Sequence, residues 1–206
     1  DMKVWMAAYN VISDIAGAVS VPGREAERQE LTDTLMSLLA PEQAPPIQIR
    51  ALRLMPIVVG EGCDVAPISR LLTGQDADLK EKAREALEMI CTTQATEALC
   101  VALDTPDPAF QSALLLALSQ IKKPIGLDKA LALIESPEPR VRASAALALA
   151  WTGRLEYLKP IQKVAATADA ATAFDASDAV LRLADAMMVR GGNFDTAMTI
   201  YRDVLK

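Results

Sequence analysis

The feature that most constrains this chain is a turn-and-helix pattern that recurs at a fixed spacing. Asp76, Asp107 and Glu138 are evenly spaced, and each comes just before an apolar helical pattern. This period of about 30 residues is typical of helical repeat proteins. In such proteins one helical hairpin cannot bury its own apolar face and packs on its neighbours instead. The repeat therefore predicts a stack of helical hairpins.

Apolar positions follow the same period within the hairpins, and we expect them to form a core between successive repeats. The segment 113–118 is apolar on all sides, so its helix should be buried on more than one side. The first helices share two positions, held by Leu79, Phe110 and Val141 and by Leu87, Leu118 and Leu149. The second helices share two more, held by Ile68, Leu99, Ala130 and Ile161 and by Leu72, Leu103, Ile134 and Ala165.

The composition favours helices throughout the chain. Hydrophobic residues make up 51% of the 206 residues but aromatic residues only 4%, so most of the apolar content is Ala and Leu, which are strong helix formers. Alternating runs of β-branched and aromatic residues, which mark strands, are missing. We therefore predict an all-α protein, a single α-solenoid domain of about six antiparallel helical hairpins wound into a right-handed superhelix.

The two ends of this domain depart from the repeat. The first hairpin is atypical, as expected of a terminal cap whose outer face meets water. In the last hairpin, Gly192, Ala197 and Tyr201 have the spacing of the second helix of a tetratricopeptide-like repeat. That hairpin is a C-terminal cap, or the natural chain continues beyond Lys206. The predicted boundaries are 1–40 for the N-terminal capping hairpin, 44–168 for the repeats and 170–206 for the C-terminal hairpin.

Helical periodicity also predicts particular helices near the ends. A helix over 47–59, which Pro56 should kink, pairs with a helix over 63–72. The first helix of the last hairpin is expected over 178–190. A further helix over 2–19 has one apolar stripe, formed by Val4, Trp5, Ala8, Val11, Ile12, Ile15 and Val19.

The segment 138–149 carries the clearest motif, acid-Pro-x-Val-Arg-x-x-Ala-Ala-x-Ala-Leu. It resembles HEAT-like repeats, in particular the short bacterial kind also found in phycobilisome-lyase-type proteins. The middle repeat departs from this pattern with Gln111 in place of Arg, and only the third repeat has a glycine, Gly153, after its first helix. The resemblance implies an α-solenoid whose second helices present a binding face. It implies no catalytic role, because the motif residues are structural.

Polar residues repeat at the start of each first helix. The acids should stabilise the helix N-termini, and each should pair with a polar residue four positions later. The three pairs are Asp76 with Lys80, Asp107 with Gln111 and Glu138 with Arg142.

Charge and residue usage exclude several kinds of site. The formal charge of −6 argues against nucleic-acid binding, which usually needs a basic stripe. The chain has no histidine, which removes the commonest general base and metal ligand, so we expect neither a metal site nor a cofactor. Cys63, Cys91 and Cys100 are too few and scattered for a disulfide framework. They are expected to be buried free thiols, or else Cys91 and Cys100 form a bridge in an oxidising compartment.

Targeting signals are also missing from the sequence. No apolar run is long enough to span a bilayer, and no signal peptide is visible. The chain begins with Asp1 and not with an initiator methionine. We therefore expect a soluble protein that is either cytoplasmic or exported after removal of a leader.

No catalytic motif was found in the sequence. There is no Gly-rich phosphate loop, nucleophile elbow or Cys/His cluster with metal-ligand spacing. The prediction is a protein–protein interaction or scaffold module with no catalytic activity of its own. The alternative is a HEAT-like enzyme or accessory factor acting on a tetrapyrrole or nucleic acid, which a basic, aromatic-lined groove would favour.

The predicted binding site lies on the second helices, between the buried ladders. Outward positions there place acids around small apolar residues, and Lys159 and Lys163 follow in the next repeat. The hypothesis is an acidic, partly apolar groove that binds a basic segment of a partner protein. The alternative is a solvated face whose acids keep the protein soluble. The site residues are Glu97, Val101, Asp104, Asp128, Ala132 and Glu135.

Overall fold

The computed structural model describes residues 2–204, and all the regular structure within this range is helical. The chain divides into two compact units, Asp1–Ala98 and Leu99–Lys206, and the division falls within a helix. The first helices are α1 (Met2–Val19), α2 (Glu25–Ser37), α3 (Pro45–Val58), α4 (Ala66–Ser69), α5 (Ala77–Ile90) and α6 (Thr93–Ala102). The others are α7 (Pro108–Ile121), α8 (Leu127–Leu133), α9 (Pro139–Ala150), α10 (Leu158–Ala166), α11 (Ala173–Ala186) and α12 (Phe194–Val204).

Helix α3 is the centre of the first unit, because it packs against α1, α2 and α5. The short helix α4 continues into the 3₁₀ turn Arg70–Thr73, and both lie against α5. Leu52 and Met55 of α3, Ile68 of α4 and Leu87 of α5 are almost fully buried. These side chains form the core of the first unit.

Helix α9 is the centre of the second unit. It packs between α7 and α11, while α8 and α10 also lie against it and α12 covers α11. Its residues from Ala143 to Ala150 are all buried, which explains why this helix is rich in alanine and carries no charge after Arg142. Each unit is built of packed antiparallel helices, and the chain is an all-α solenoid. The prediction of a single domain stays a prediction.

The predicted core positions are confirmed. All the residues of the four periodic sets are buried except Ala165, which is partly exposed. In the segment 113–118, Leu114, Leu115 and Leu118 are buried, but Leu116 is 39% exposed. The prediction of burial on several sides therefore holds for most of this helix, and one side meets solvent.

The repeated acids do not share one role. The carboxylate of Asp76 accepts a hydrogen bond from the Leu79 N–H at 3.0 Å, and that of Asp107 accepts from the Ala109 and Phe110 N–H groups at 3.0 and 3.3 Å. Glu138 makes no such bond at the start of α9. Its side chain is one methylene longer than that of Asp, which moves the carboxylate past the N–H groups that an N-cap must reach.

The expected i,i+4 pairs are wrong for two of the three repeats. Gln111 donates from Nε2 to the Leu103 carbonyl at 2.8 Å, and Arg142 donates from Nη1 to the Ser136 and Pro137 carbonyls, both at 3.0 Å. Both side chains therefore bind the backbone just before their own helix and not the acid one turn earlier. Gln48 of α3 does the same with the Leu39 and Ala40 carbonyls, at 3.2 and 2.9 Å.

Two helix boundaries differ from the prediction. The helix expected over 63–72 begins only at Ala66, because the carboxylate of Asp64 accepts from the Ala66 N–H at 2.8 Å and starts the helix there. The helix expected over 178–190 begins at Ala173, after Asp169 accepts bonds from the Ala171 and Thr172 N–H groups. Asp169 stands one period after Glu138, so the period continues further than the sequence pattern indicated.

The apolar stripe of α1 is largely exposed. Val11, Ile12 and Ile15 face solvent, and only Val19 of the predicted set, together with Ala16, is buried. The side chains of Val4, Trp5 and Ala8 lie outside the described residues. The described side chains of the stripe are exposed because α1 packs mainly against α2 and α3 within its unit.

One of the three cysteines is buried. Cys100 is buried, whereas Cys63 and Cys91 are partly exposed, so two of the three are less buried than expected; none of them forms a disulfide within residues 2–204. In the same range, no helix has the length and apolar character needed to cross a membrane.

Candidate functional site

Three of the predicted site residues lie on one exposed face that α8 forms with the turn after it. Asp128, Ala132 and Glu135 lie at spacings of four and three residues, and Leu131 joins them on the same side. All four side chains are exposed, with Leu131 at 39%. The face alternates acid, apolar and acid along α8 and the following turn, while Ala130 and Ile134 are buried.

The neighbouring second helices add further exposed residues. Val101 of α6 is 68% exposed, and Asp104 follows the end of that helix. Lys159 and Lys163 are the corresponding exposed residues of α10. We call these residues of the second unit the second-helix surface: Val101, Asp104, Asp128, Leu131, Ala132, Glu135, Lys159 and Lys163. Glu97 is exposed on α6 but belongs to the first unit.

Two ion pairs connect successive second helices on this surface. The Lys129 ammonium lies 2.9 Å from both carboxylate oxygens of Asp104, and it also donates to the Cys100 carbonyl at 3.1 Å. The Lys163 ammonium lies 2.8 Å from both carboxylate oxygens of Glu135. Asp104 and Glu135 are one period apart, so an ion pair to the acid at this position recurs in the next repeat, although Lys129 and Lys163 do not hold equivalent positions.

These pairs make the surface less acidic than the sequence indicated. Asp104 and Glu135 each have a lysine beside them, whereas no ion pair in the described part of the chain involves Asp128. Both pairs are exposed, so each contributes no more than about 1 kcal/mol and is screened by salt. The charge changes along the surface, from acids near α6 and α8 to lysines on α10.

Sequence reasoning missed Leu131, which belongs to this surface, and Lys129, which borders it and pairs with Asp104. Lys129 lies next to Asp128 in the chain, but its ammonium crosses to the preceding repeat, which the spacing of one helix does not show. Leu131 is not in the prediction, because the outward ladders pass through Asp128, Ala132 and Glu135 and not through position 131. A helical face also includes the position three residues on, and this signal could have identified Leu131.

The arrangement offers recognition chemistry and no group suited to hold a metal. Within residues 2–204, no three His, Cys, Asp or Glu side chains come together in a way that could bind a metal ion. The surface presents carboxylates, ammonium groups and apolar side chains, which can form ion pairs and bury apolar area against another molecule.

Comparisons with known proteins agree with this architecture. Residues 65–150 match the sequence profile of HEAT repeats. A solved structure that resembles the chain is the crystal structure of an engineered protein from the Northeast Structural Genomics Consortium. The likeness has a TM-score of 0.50 and 20% identity over 90% of this chain and 92% of that one. At this identity, the likeness concerns the fold alone.

A comparison with curated proteins found no match. The HEAT match begins just before α4 and ends with α9, so it contains most of the helices whose apolar positions recur at the fixed period. Helix α10, which carries the last members of two sets, Ile161 and Ala165, lies beyond the end of the match. Residues 65–150 of this chain are therefore HEAT-like repeats.

Proposed function

We propose that this protein is an interaction module with no catalytic activity of its own, and that its second-helix surface binds a basic, partly apolar segment of a partner protein. The observation that carries the proposal is the exposure of Val101 and Leu131 beside carboxylates, at 68% and 39%. Exposed apolar side chains rimmed by charge are typical of protein contact surfaces. The HEAT-repeat fold supports a scaffold role by analogy, because stacked repeats offer an extended face for binding.

The charges favour a segment with a defined direction. Asp128 forms no ion pair among the described residues, and the carboxylates of Asp104 and Glu135 can exchange an exposed lysine partner for one from a ligand at small cost. The Lys159 and Lys163 side chains on α10 would repel a basic segment there. We therefore propose that the basic residues of the partner lie over α6 and α8, and that its sequence becomes neutral or acidic toward α10.

The apolar part of the proposal can be tested with a double variant. Val101→Glu combined with Leu131→Glu places charge where the partner would bury apolar area. Met89→Glu is the matched control, because Met89 is 70% exposed on α5, outside the second-helix surface. Each protein is used to capture partners from a lysate of the source organism, followed by quantitative mass spectrometry. We expect one or more proteins to bind the wild type and the control and to be lost with the double variant. Equal capture by all three proteins would show that this surface is not the binding site.

A second variant tests the proposed attraction between the acids of the surface and a basic segment. Asp128→Lys should weaken binding of a captured partner at low salt, and the difference should shrink as salt is added. Glu42→Lys is the control, because Glu42 is exposed in the turn between α2 and α3. An affinity that does not change in Asp128→Lys while circular dichroism shows an intact fold would refute the basic segment.

A further inference from the structure

A half-open pocket of about 370 Å³ lies at the ends of α7, α9 and α11 in the second unit. Lys122 lines it from the end of α7, and Trp151 lines it from the end of α9. Arg182, Asp185 and Arg190 line it from α11 and the turn that follows. The pocket is separate from the second-helix surface and contains none of its residues.

An arginine and a tryptophan form one wall of the pocket. The guanidinium carbon of Arg190 lies 5.0 Å from the centre of the Trp151 ring, which is a cation–π distance. Arg190 belongs to the π turn Met187–Gly191, and π turns within helices occur frequently at functional sites. The indole and the guanidinium are both flat groups against which an aromatic ring can stack.

Most of the charged side chains in the lining are cationic. The Nε of Arg182 donates to the Asp178 carboxylate at 2.7 Å, a bond that fixes the guanidinium and does not use its two terminal nitrogens. The Lys122 side chain is exposed, and no ion pair among the described residues involves it. The one acid of the lining, Asp185, accepts a hydrogen bond from the Tyr201 hydroxyl. The lining therefore holds three cationic side chains and one occupied carboxylate, with Asp178 beside it as the partner of Arg182, in a chain whose formal charge is −6.

We propose that this pocket binds a small aromatic carboxylate. The ring would lie against Trp151 and the apolar side chains of Leu147 and Val189, and the carboxylate would accept hydrogen bonds from Arg182 and Lys122. The terminal nitrogens of a guanidinium match the two oxygens of a carboxylate. The volume suits one fused ring system, since pockets for small ligands measure about 300–1,000 Å³, and it is too small for a nucleic-acid strand.

The probe for this site is 2-naphthoate, with the neutral 2-naphthamide as its matched control. The chain has only two tryptophans, so its nitrogen–proton correlation spectrum contains two indole N–H signals, and Trp5→Phe assigns that of Trp151. We expect 2-naphthoate to shift the Trp151 signal in a saturable way and to leave the Trp5 signal unchanged. The amide should cause a much smaller shift at the same concentration, because it offers no negative charge.

Two variants test which side chains bind the carboxylate of 2-naphthoate. Arg182→Gln and Lys122→Gln should each weaken binding of 2-naphthoate about tenfold or more, as expected when a hydrogen bond to a charged group is lost. Arg140→Gln is the control at the opposite end of α9 and should bind normally. If Arg182→Gln loses its fold, the exposed Lys122 variant alone gives the answer. Equal binding of acid and amide, unchanged affinity in the Lys122 variant, no shift of the Trp151 signal, or tighter binding of adenosine monophosphate than of 2-naphthoate would each overturn the proposal.

Discussion

Gly153 lies so close to the backbone of Ala186 that a Cβ atom on it would be 2.7 Å from both the carbonyl carbon and the carbonyl oxygen. Gly153 follows α9 with a φ of +68°, and Ala186 is the last residue of α11. Only glycine combines this left-handed conformation with so short an approach. The turn after α9 therefore packs directly on α11, beside the wall of the proposed pocket.

Gly153→Ala should be strongly destabilising, because it adds a clash with backbone to the cost of a left-handed φ, which is about 1–2 kcal/mol for a residue with a side chain. Gly192→Ala is the matched control. Gly192 has a similar φ of +64°, but nothing lies within 4 Å of its would-be Cβ. Urea unfolding followed by circular dichroism should show a loss at least about 1 kcal/mol larger for Gly153→Ala. Equal losses would mean that the turn can move away from α11.

Leu118→Ala should cost about 2–5 kcal/mol of unfolding free energy, as deletions in a packed core do. Leu118 is 6% exposed in α7, whereas Leu116 of the same helix is 39% exposed and should lose less on the same change. Denaturant melts of the two variants measure this difference. A cost below about 0.5 kcal/mol for Leu118→Ala would contradict its place in the repeating core.

The repeating core was predictable because burial follows the helical period and the period is visible in the sequence. Leu99 and Ile161 illustrate this, since both were placed in the core by position alone and both are fully buried. The role of Arg142 was not predictable, because its partners are backbone carbonyls. Every residue has such a carbonyl, so the sequence does not show which of them accepts a hydrogen bond. Helix α1 shows a further limit of prediction from the sequence. An apolar stripe predicts a buried face, but it does not show whether another helix packs on that face.

The candidate site could likewise be predicted in part from the sequence. The exposure of Asp128 and Val101 follows from the positions of their buried neighbours. The net charge of the surface did not follow, because Lys129 and Lys163 reach across repeats. The pocket near Trp151 was missed because its residues come from three helices that are far apart in the sequence. The acidic composition of the chain also gave no sign of the pocket, because a net charge does not show where cationic side chains lie close together.

Asp107→Ala should cost about 1 kcal/mol, because it removes the hydrogen bonds to the Ala109 and Phe110 N–H groups at the start of α7. Glu138→Ala removes the equivalent acid of the next repeat, which makes no such bond, and should change stability by only a few tenths of a kcal/mol. Thermal and urea unfolding of the two variants test this contrast. A larger loss for Glu138→Ala would contradict the difference between the two helix starts.

The Tyr201 hydroxyl should ionise at a higher pH than free tyrosine, because its hydrogen bond to the Asp185 carboxylate raises the pKa of Tyr201. The folded state then holds this proton more tightly than the unfolded state. The resulting stability is complete below the unfolded pKa of about 10 and is lost as pH rises through the higher folded pKa. Tyrosinate absorbance of the wild type minus that of Tyr201→Phe gives the titration of this group alone. Ionisation of Tyr201 at or below the pKa of free tyrosine would show that the bond is absent in solution.

The backbone bonds of Gln48, Gln111 and Arg142 have a consequence for how the protein folds. Gln48 bonds to carbonyls eight and nine residues back, Gln111 to one eight residues back, and Arg142 to carbonyls five and six residues back. Loops this short lose little chain entropy on closing, and contacts so local form early. Each turn can thus be locked while distant parts of the chain are still unfolded. Folding can therefore nucleate at any of these turns and spread in both directions, with no obligatory first hairpin.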